Sequence, residues 1–77
     1  AVANLRRLAI IKFLKKEGEA NVQEIAMHLS LSFKATSRHL RVLFLADILE
    51  KEQKNIYVYY RIAKDRLPVL KSLFDLL

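Results

Sequence analysis

The stretch Leu29-Ser30-Leu31-Ser32-Phe33-Lys34-Ala35-Thr36-Ser37-Arg38-His39-Leu40-Arg41-Val42-Leu43 decides how the rest of the chain is read. It holds the end of one short helix, a tight polar turn and a second helix with a basic outer face. Ser32 is placed as the N-cap of that second helix, where its hydroxyl accepts from one of the backbone N–H groups a helix start leaves unpaired. Thr36, Leu40, Leu43 and Asp47 follow at steps of four, three and four, so at about 100° per residue they share one stripe. Lys34, Arg38, Arg41 and Leu45 fall on the opposite side, with Ser37 at its edge. A helix that docks its apolar stripe and leaves a Lys-Ser-Arg-Arg face in solvent is shaped to enter a DNA major groove.

Composition sets the frame around this helix. The 77 residues allow one domain, and a domain of this size buries only about 60% of its unfolded surface. Yet 53% of the residues are hydrophobic, more than so small a core absorbs, which predicts surface covered by a second copy. Cysteine is absent, excluding disulfides, thiolate metal sites and cysteine nucleophiles. The net charge of +6 favours a polyanionic partner over a merely solvated basic surface because of where it lies. Residues 1–17 carry +4 (Arg6, Arg7, Lys12, Lys15 and Lys16 against Glu17), and residues 33–46 carry +3 with no acid. Residues 18–32 carry −2 and residues 47–62 sum to zero. No apolar run approaches the roughly 18 residues of a membrane span, and Leu8 to Ile11 is too short for a signal-peptide core. The expected location is the cytoplasm. The sequence starts at Ala1 without Met, which fits a processed chain, a trimmed one or the DNA-binding module of a longer regulator.

Outward from the opening stretch, a first helix is expected over about Val2 to Lys16. Leu5, Leu8, Ile11 (or Ile10), Phe13 and Leu14 form its apolar face, and Gly18 stops it. A short helix from about Val22 to Leu29 has Asn21 as N-cap and Glu24 three residues on, an imperfect capping box. After Ala46 the period changes. Ile48 to Glu52 and Ile56 to Ile62 read as two strands around a Gln53-Lys54-Asn55 tip, with Ile56, Val58, Tyr60 and Ile62 facing inward and Asn55 suited to a left-handed turn position. Residues 65–77 read as a last helix with Pro68 in its first turn. The expected fold is mostly α with a small β-hairpin, a winged helix-turn-helix in the order α-α-α-β-β-α. Its helix-turn-helix spans about 22–45, its wing about 48–62 and its C-terminal dimerisation helix about 65–77.

These segments together resemble the ArsR-type winged-helix transcriptional repressors. Arg7-Leu8-Ala9-Ile10-Ile11-Lys12-Phe13-Leu14 is similar to the family's Arg-Leu-x-Ile-Leu-x-x-Leu. Glu24-Ile25-Ala26 with Leu29, Leu31 and Ser32, then Thr36 to Leu43, resembles its helix-turn-helix signature, and Val58-Tyr59-Tyr60-Arg61-Ile62 its aromatic second wing strand. The resemblance implies a homodimer on an inverted-repeat operator of double-stranded DNA, with the first and last helices forming the dimer interface through Leu5, Leu8, Leu70, Leu73, Phe74 and Leu77. It also points to places where some members bind metals. Asn21 and Gln23 stand where thiolates would be, and Asp65 and Asp75 lie in the last helix without a histidine, so no metal site and no cofactor is expected. Asp47 replaces a usual glycine at the entry to the wing, a position Asp tolerates in the left-handed region.

Arg38 and Arg41 are the expected contacts to guanine edges or phosphates, and Lys34 and Ser37 to phosphates. Phe33 is placed either against a thymine methyl or as a staple on the turn. Lys51, Gln53 and Lys54 at the wing tip are expected near the minor groove or backbone, with Glu50 and Glu52 diluting their charge. His39 is expected to pack beside the core, and His28 to lie on the surface. No phosphate loop or His–carboxylate pair at a useful spacing suggests catalysis. The rival reading is a winged helix used for protein–protein contact, motivated by Phe44 and Leu45 on or near the outer side of the recognition helix.

Overall fold

In a computed structural model, residues 2–66 are described. Helix α1 (Val2–Glu17) is followed by a short strand β1 (Glu19–Asn21), helix α2 (Val22–Leu29), helix α3 (Phe33–Leu45), strands β2 (Leu49–Lys54) and β3 (Tyr57–Ile62), and a 3-10 turn at Lys64–Arg66. The three helices and the hairpin are those expected. The expected last helix lies outside the described residues.

The helix boundaries follow from local chemistry. Gly18 ends α1 at φ +88°, and its N–H donates to the Leu14 carbonyl at 2.8 Å. Asn21 caps α2 in a full capping box: its Oδ1 accepts from the Glu24 N–H, and Glu24 Oε1 accepts from the Asn21 N–H, both at 2.9 Å. The imperfect sequence match therefore still satisfies two helix-start donors. Ser30 closes α2 in the left-handed region at φ 55°.

The strand β1 was not expected. The sheet order is β1-β3-β2, so β3 is central and the wing is the larger part of a three-stranded antiparallel sheet. Asn55 takes φ 60° at the hairpin turn, as anticipated, but the turn is Asn55-Ile56 and β2 continues through Lys54. Ile56 therefore leaves the inward alternation and is 83% exposed, while Val58 and Tyr60 are half-buried and Ile62 is buried. Asp47 is likewise not part of the α3 stripe: it lies past the helix end at φ 60°, exposed, in the turn into β2.

The core is Ile10, Ile11 and Leu14 of α1, Ala20, Ile25, Leu40, Leu43, Leu49 and Ile62, with Phe13, Val22, Leu29, Ile48 and Tyr60 packed against it. Leu5 and Leu8 do not join it; they are 67% and 40% exposed, because the helix turns its buried stripe toward Ile10, Ile11 and Leu14.

Candidate nucleic-acid interface

The start of α3 is fixed before its basic face begins. Ser32 Oγ accepts from the Ala35 N–H at 3.0 Å, and the Thr36 hydroxyl donates back to the Ser32 carbonyl at 2.8 Å. Thr36 is wholly buried while Ser32 is exposed, so this second bond is partly shielded from water and ties the turn to the first helical residues. Leu40 and Leu43 then dock the helix on the core. The same rotation leaves Lys34, Arg38 and Arg41 exposed, with Ser37 half-buried beside them. None of these three cations makes a side-chain hydrogen bond or ion pair among the described residues. Phe33 is 58% exposed at the helix start, which favours an outward contact over a buried staple.

The wing residues are divided. Register alternation puts Lys51 on the face of Leu49 and Tyr60, where its Nζ sits 4.4 Å from the centre of the Phe44 ring. Lys54 points from the other face, where its Nζ bonds Glu19 Oε2 at 2.7 Å and lies 5.3 Å from the Tyr59 ring centre. The bond to Glu19 leads in raising the Lys54 pKa above its ordinary value. Arg61, opposite both Glu19 and Glu50 in the sheet, donates from Nε to Glu50 and from Nη1 to Glu52, each at 3.0 Å. Gln53 Nε2 donates to the Asn55 carbonyl at 3.3 Å. The expected tip cluster of Lys51, Gln53 and Lys54 is thus not one patch.

His39 is buried, as its position beside the stripe suggested. Burial, then the charges of Arg7, Arg6 and Arg38, holds its imidazole pKa below the ordinary value. Its Nδ1 and the Arg7 Nε are both buried without a hydrogen-bond partner among the described residues. Neither Arg6 nor Arg7 is among the expected site residues; the sequence marks them by the +4 charge of residues 1–17 and, for Arg7, by its place at the head of the 7–14 segment. His28 is exposed, but its ring also stacks on Phe13, with centroids 4.2 Å apart.

Val2, Leu5 and Leu8 leave an apolar strip on α1, with exposures of 62%, 67% and 40%. The other expected interface residues, Leu70, Leu73, Phe74 and Leu77, lie outside the described residues. Among the described residues no three His, Asp or Glu side chains gather as metal ligands, and no helix is long and apolar enough to cross a membrane.

The profile of the arsR family of bacterial regulatory proteins matches residues 5–51. The chain is similar to the homodimeric winged helix-turn-helix DNA-binding domain of a possible ArsR-family regulator from Mycobacterium bovis. Identity is 31%, 97% of this chain and 68% of that one are covered, and the TM-score is 0.83. It is also similar to a possible transcriptional regulator for arsenical resistance at 34% identity, covering 95% and 75% of the two chains with a TM-score of 0.78. An antimony-specific transcriptional repressor shares the fold at 24% identity, covering 90% and 63%, with a TM-score of 0.75. No match is found among curated proteins.

Proposed function

Because the chain belongs to the arsR family of bacterial regulatory proteins, we propose that it is a dimeric, sequence-specific DNA-binding repressor acting in the cytoplasm. It works by binding and not by catalysis. The observation that carries this reading is the outer face of α3, where Lys34, Arg38 and Arg41 stand exposed without a counter-ion among the described residues. Arg38 and Arg41 reach guanine edges or adjacent phosphates; Lys34 and Ser37 hold phosphates, and Phe33 contacts a thymine methyl. The Val2-Leu5-Leu8 strip supports pairing of two copies, as does the homodimer formed by the Mycobacterium bovis domain. A two-fold dimer presents one α3 to each half of an inverted repeat.

A gel shift on duplexes selected from random DNA tests this. Two protomers should bind each palindromic site. With about 6–10 phosphate contacts, affinity should fall roughly 10³–10⁵-fold between about 50 and 200 mM salt. Salt-insensitive capture of a protein, with no DNA retardation at low salt, would favour the rival reading in which Phe44 and the 65% exposed Leu45 form a protein-docking face.

A further inference from the structure

We propose that the cleft between the head of α3 and the tip of the wing seats a deoxyribose of the DNA strand that runs between them, with Phe33, Ile56 and Tyr57 as its apolar walls. This rests on the DNA-binding reading above and gives the wing an apolar hold on the backbone in place of a cationic one.

The cleft follows from where β1 stops. That strand ends at Asn21, opposite Tyr59, and the chain turns there into α2. Tyr57 and Val58 run on beyond it, paired only with Lys54 and Gln53 of β2. The gap left at this edge of β3 is a cleft of about 280 Å³. Its lining joins Phe33, the first residue of α3, to Ile56, Tyr57 and Val58 of the wing, and includes Val22 and Gln23 of α2. Phe33, Ile56 and Tyr57 are all exposed, so three large apolar side chains border one opening and remain in water. Apolar side chains gathered in this way mark a contact surface.

The position and chemistry of the cleft favour a DNA strand as its occupant. It is continuous with the basic face of α3, because Lys34, exposed and without a counter-ion among the described residues, directly follows Phe33. A helix seated in the major groove has a strand of the duplex passing its end, and a hairpin standing beside that end meets the same strand. Along that strand charged phosphates alternate with sugars, and the sugar presents an apolar C–H face. A phosphate held by Lys34 brings the neighbouring sugar to Phe33 and the wing tip. No charged side chain lines the cleft, which suits the sugar and not the phosphate. The Gln23 amide and the Tyr57 hydroxyl make no hydrogen bond among the described residues, so both can donate to a flanking phosphate oxygen. The wing cations, by contrast, are already on carboxylates: Lys54 on Glu19, and Arg61 on Glu50 and Glu52.

The test is fluorescence anisotropy of the full chain over a salt series, on a selected duplex and a scrambled one, for wild type, Ile56→Ser, Ile56→Leu and Phe33→Ala. Both positions are exposed, so the variants keep the fold, which circular dichroism checks. Ile56→Ser and Phe33→Ala should each weaken binding about tenfold on the scrambled duplex as well as the selected one. The salt slope should not change, because a sugar contact releases no counter-ion. Ile56→Leu should stay within about twofold of wild type. Hydroxyl-radical footprinting should show one deoxyribose in each half-site that wild type protects and Ile56→Ser leaves open. Wild-type affinity in Ile56→Ser overturns the proposal while leaving DNA binding through α3 intact. So does a loss that sedimentation velocity traces to separation of the two copies, which would make the cleft a contact between protomers. Wild type binding neither duplex would overturn the DNA-binding reading itself, and this proposal with it.

Discussion

Lys34, Arg38 and Arg41 on α3 and Lys54 and Arg61 on the sheet are all basic side chains, yet the first three end in solvent and the last two end on carboxylates. The contrast comes from how each element meets its neighbours. Residues 33–46 contain no acid, so no partner at helical spacing is available to their cations. In the sheet, pairing of Glu19 and Glu50 with Arg61 aligns acids and bases on one face, and each cation finds a carboxylate. Side chains of the same unit charge thus leave an open electrostatic field on α3 and a nearly closed one on the outer face of the sheet. A count of lysines and arginines does not separate them; register does.

The largest test of this contrast removes the open field. Arg38→Ala with Arg41→Ala should abolish specific binding, at about 1–3 kcal/mol of lost discrimination for each residue that reads a base. Circular dichroism should remain that of the wild type, because both side chains are exposed. Retained specific binding would remove α3 from its assigned role. The next test opens the closed field: Glu19→Gln with Glu52→Gln should free Lys54 and part of Arg61, raise affinity for any duplex several-fold and steepen the salt dependence. No change in either would mean the wing stays away from the backbone.

Smaller effects probe what holds α3 in place. Ser32→Ala should lower stability by about 1 kcal/mol, read as a shift in denaturant midpoint, since it removes the cap at Ala35. His39 sets a pH dependence. Its folded pKa lies below the ordinary 6.5, so as the pH falls through that value the unfolded chain takes up the proton first. The contribution to stability is complete above about pH 6.5 and declines as pH drops from there toward the folded value. The melting temperature should fall on acidification, and fall less in His39→Gln.

What was legible in the sequence was local. The caps at Asn21 and Ser32, the stop at Gly18 and the left-handed turn at Asn55 each depend on side chains within a few residues of the backbone they serve, and all four occur where expected. The exposed basic face of α3 followed from a periodicity within one helix. Strand β1 was not legible: Glu19-Ala20-Asn21 carries no alternation of its own and is a strand only because β3 pairs with it. The ion pair of Lys54 with Glu19 depends on that same pairing, so the sequence points only to Glu50 and Glu52 as acids near the wing tip and not to Glu19. The effect of Arg6 and Arg7 on His39 needs the packing of α1 against α3, and no spacing within either helix reports it.

Asn21 ends β1 opposite Tyr59 in the central strand of the wing, and the same residue caps the first turn of α2 through both halves of its exchange with Glu24. One residue thereby belongs to two elements at once. Its backbone is held in the sheet and its side chain in the first turn of α2, so the wing and the start of α2 share a single point of attachment, and α2 carries the turn leading into α3.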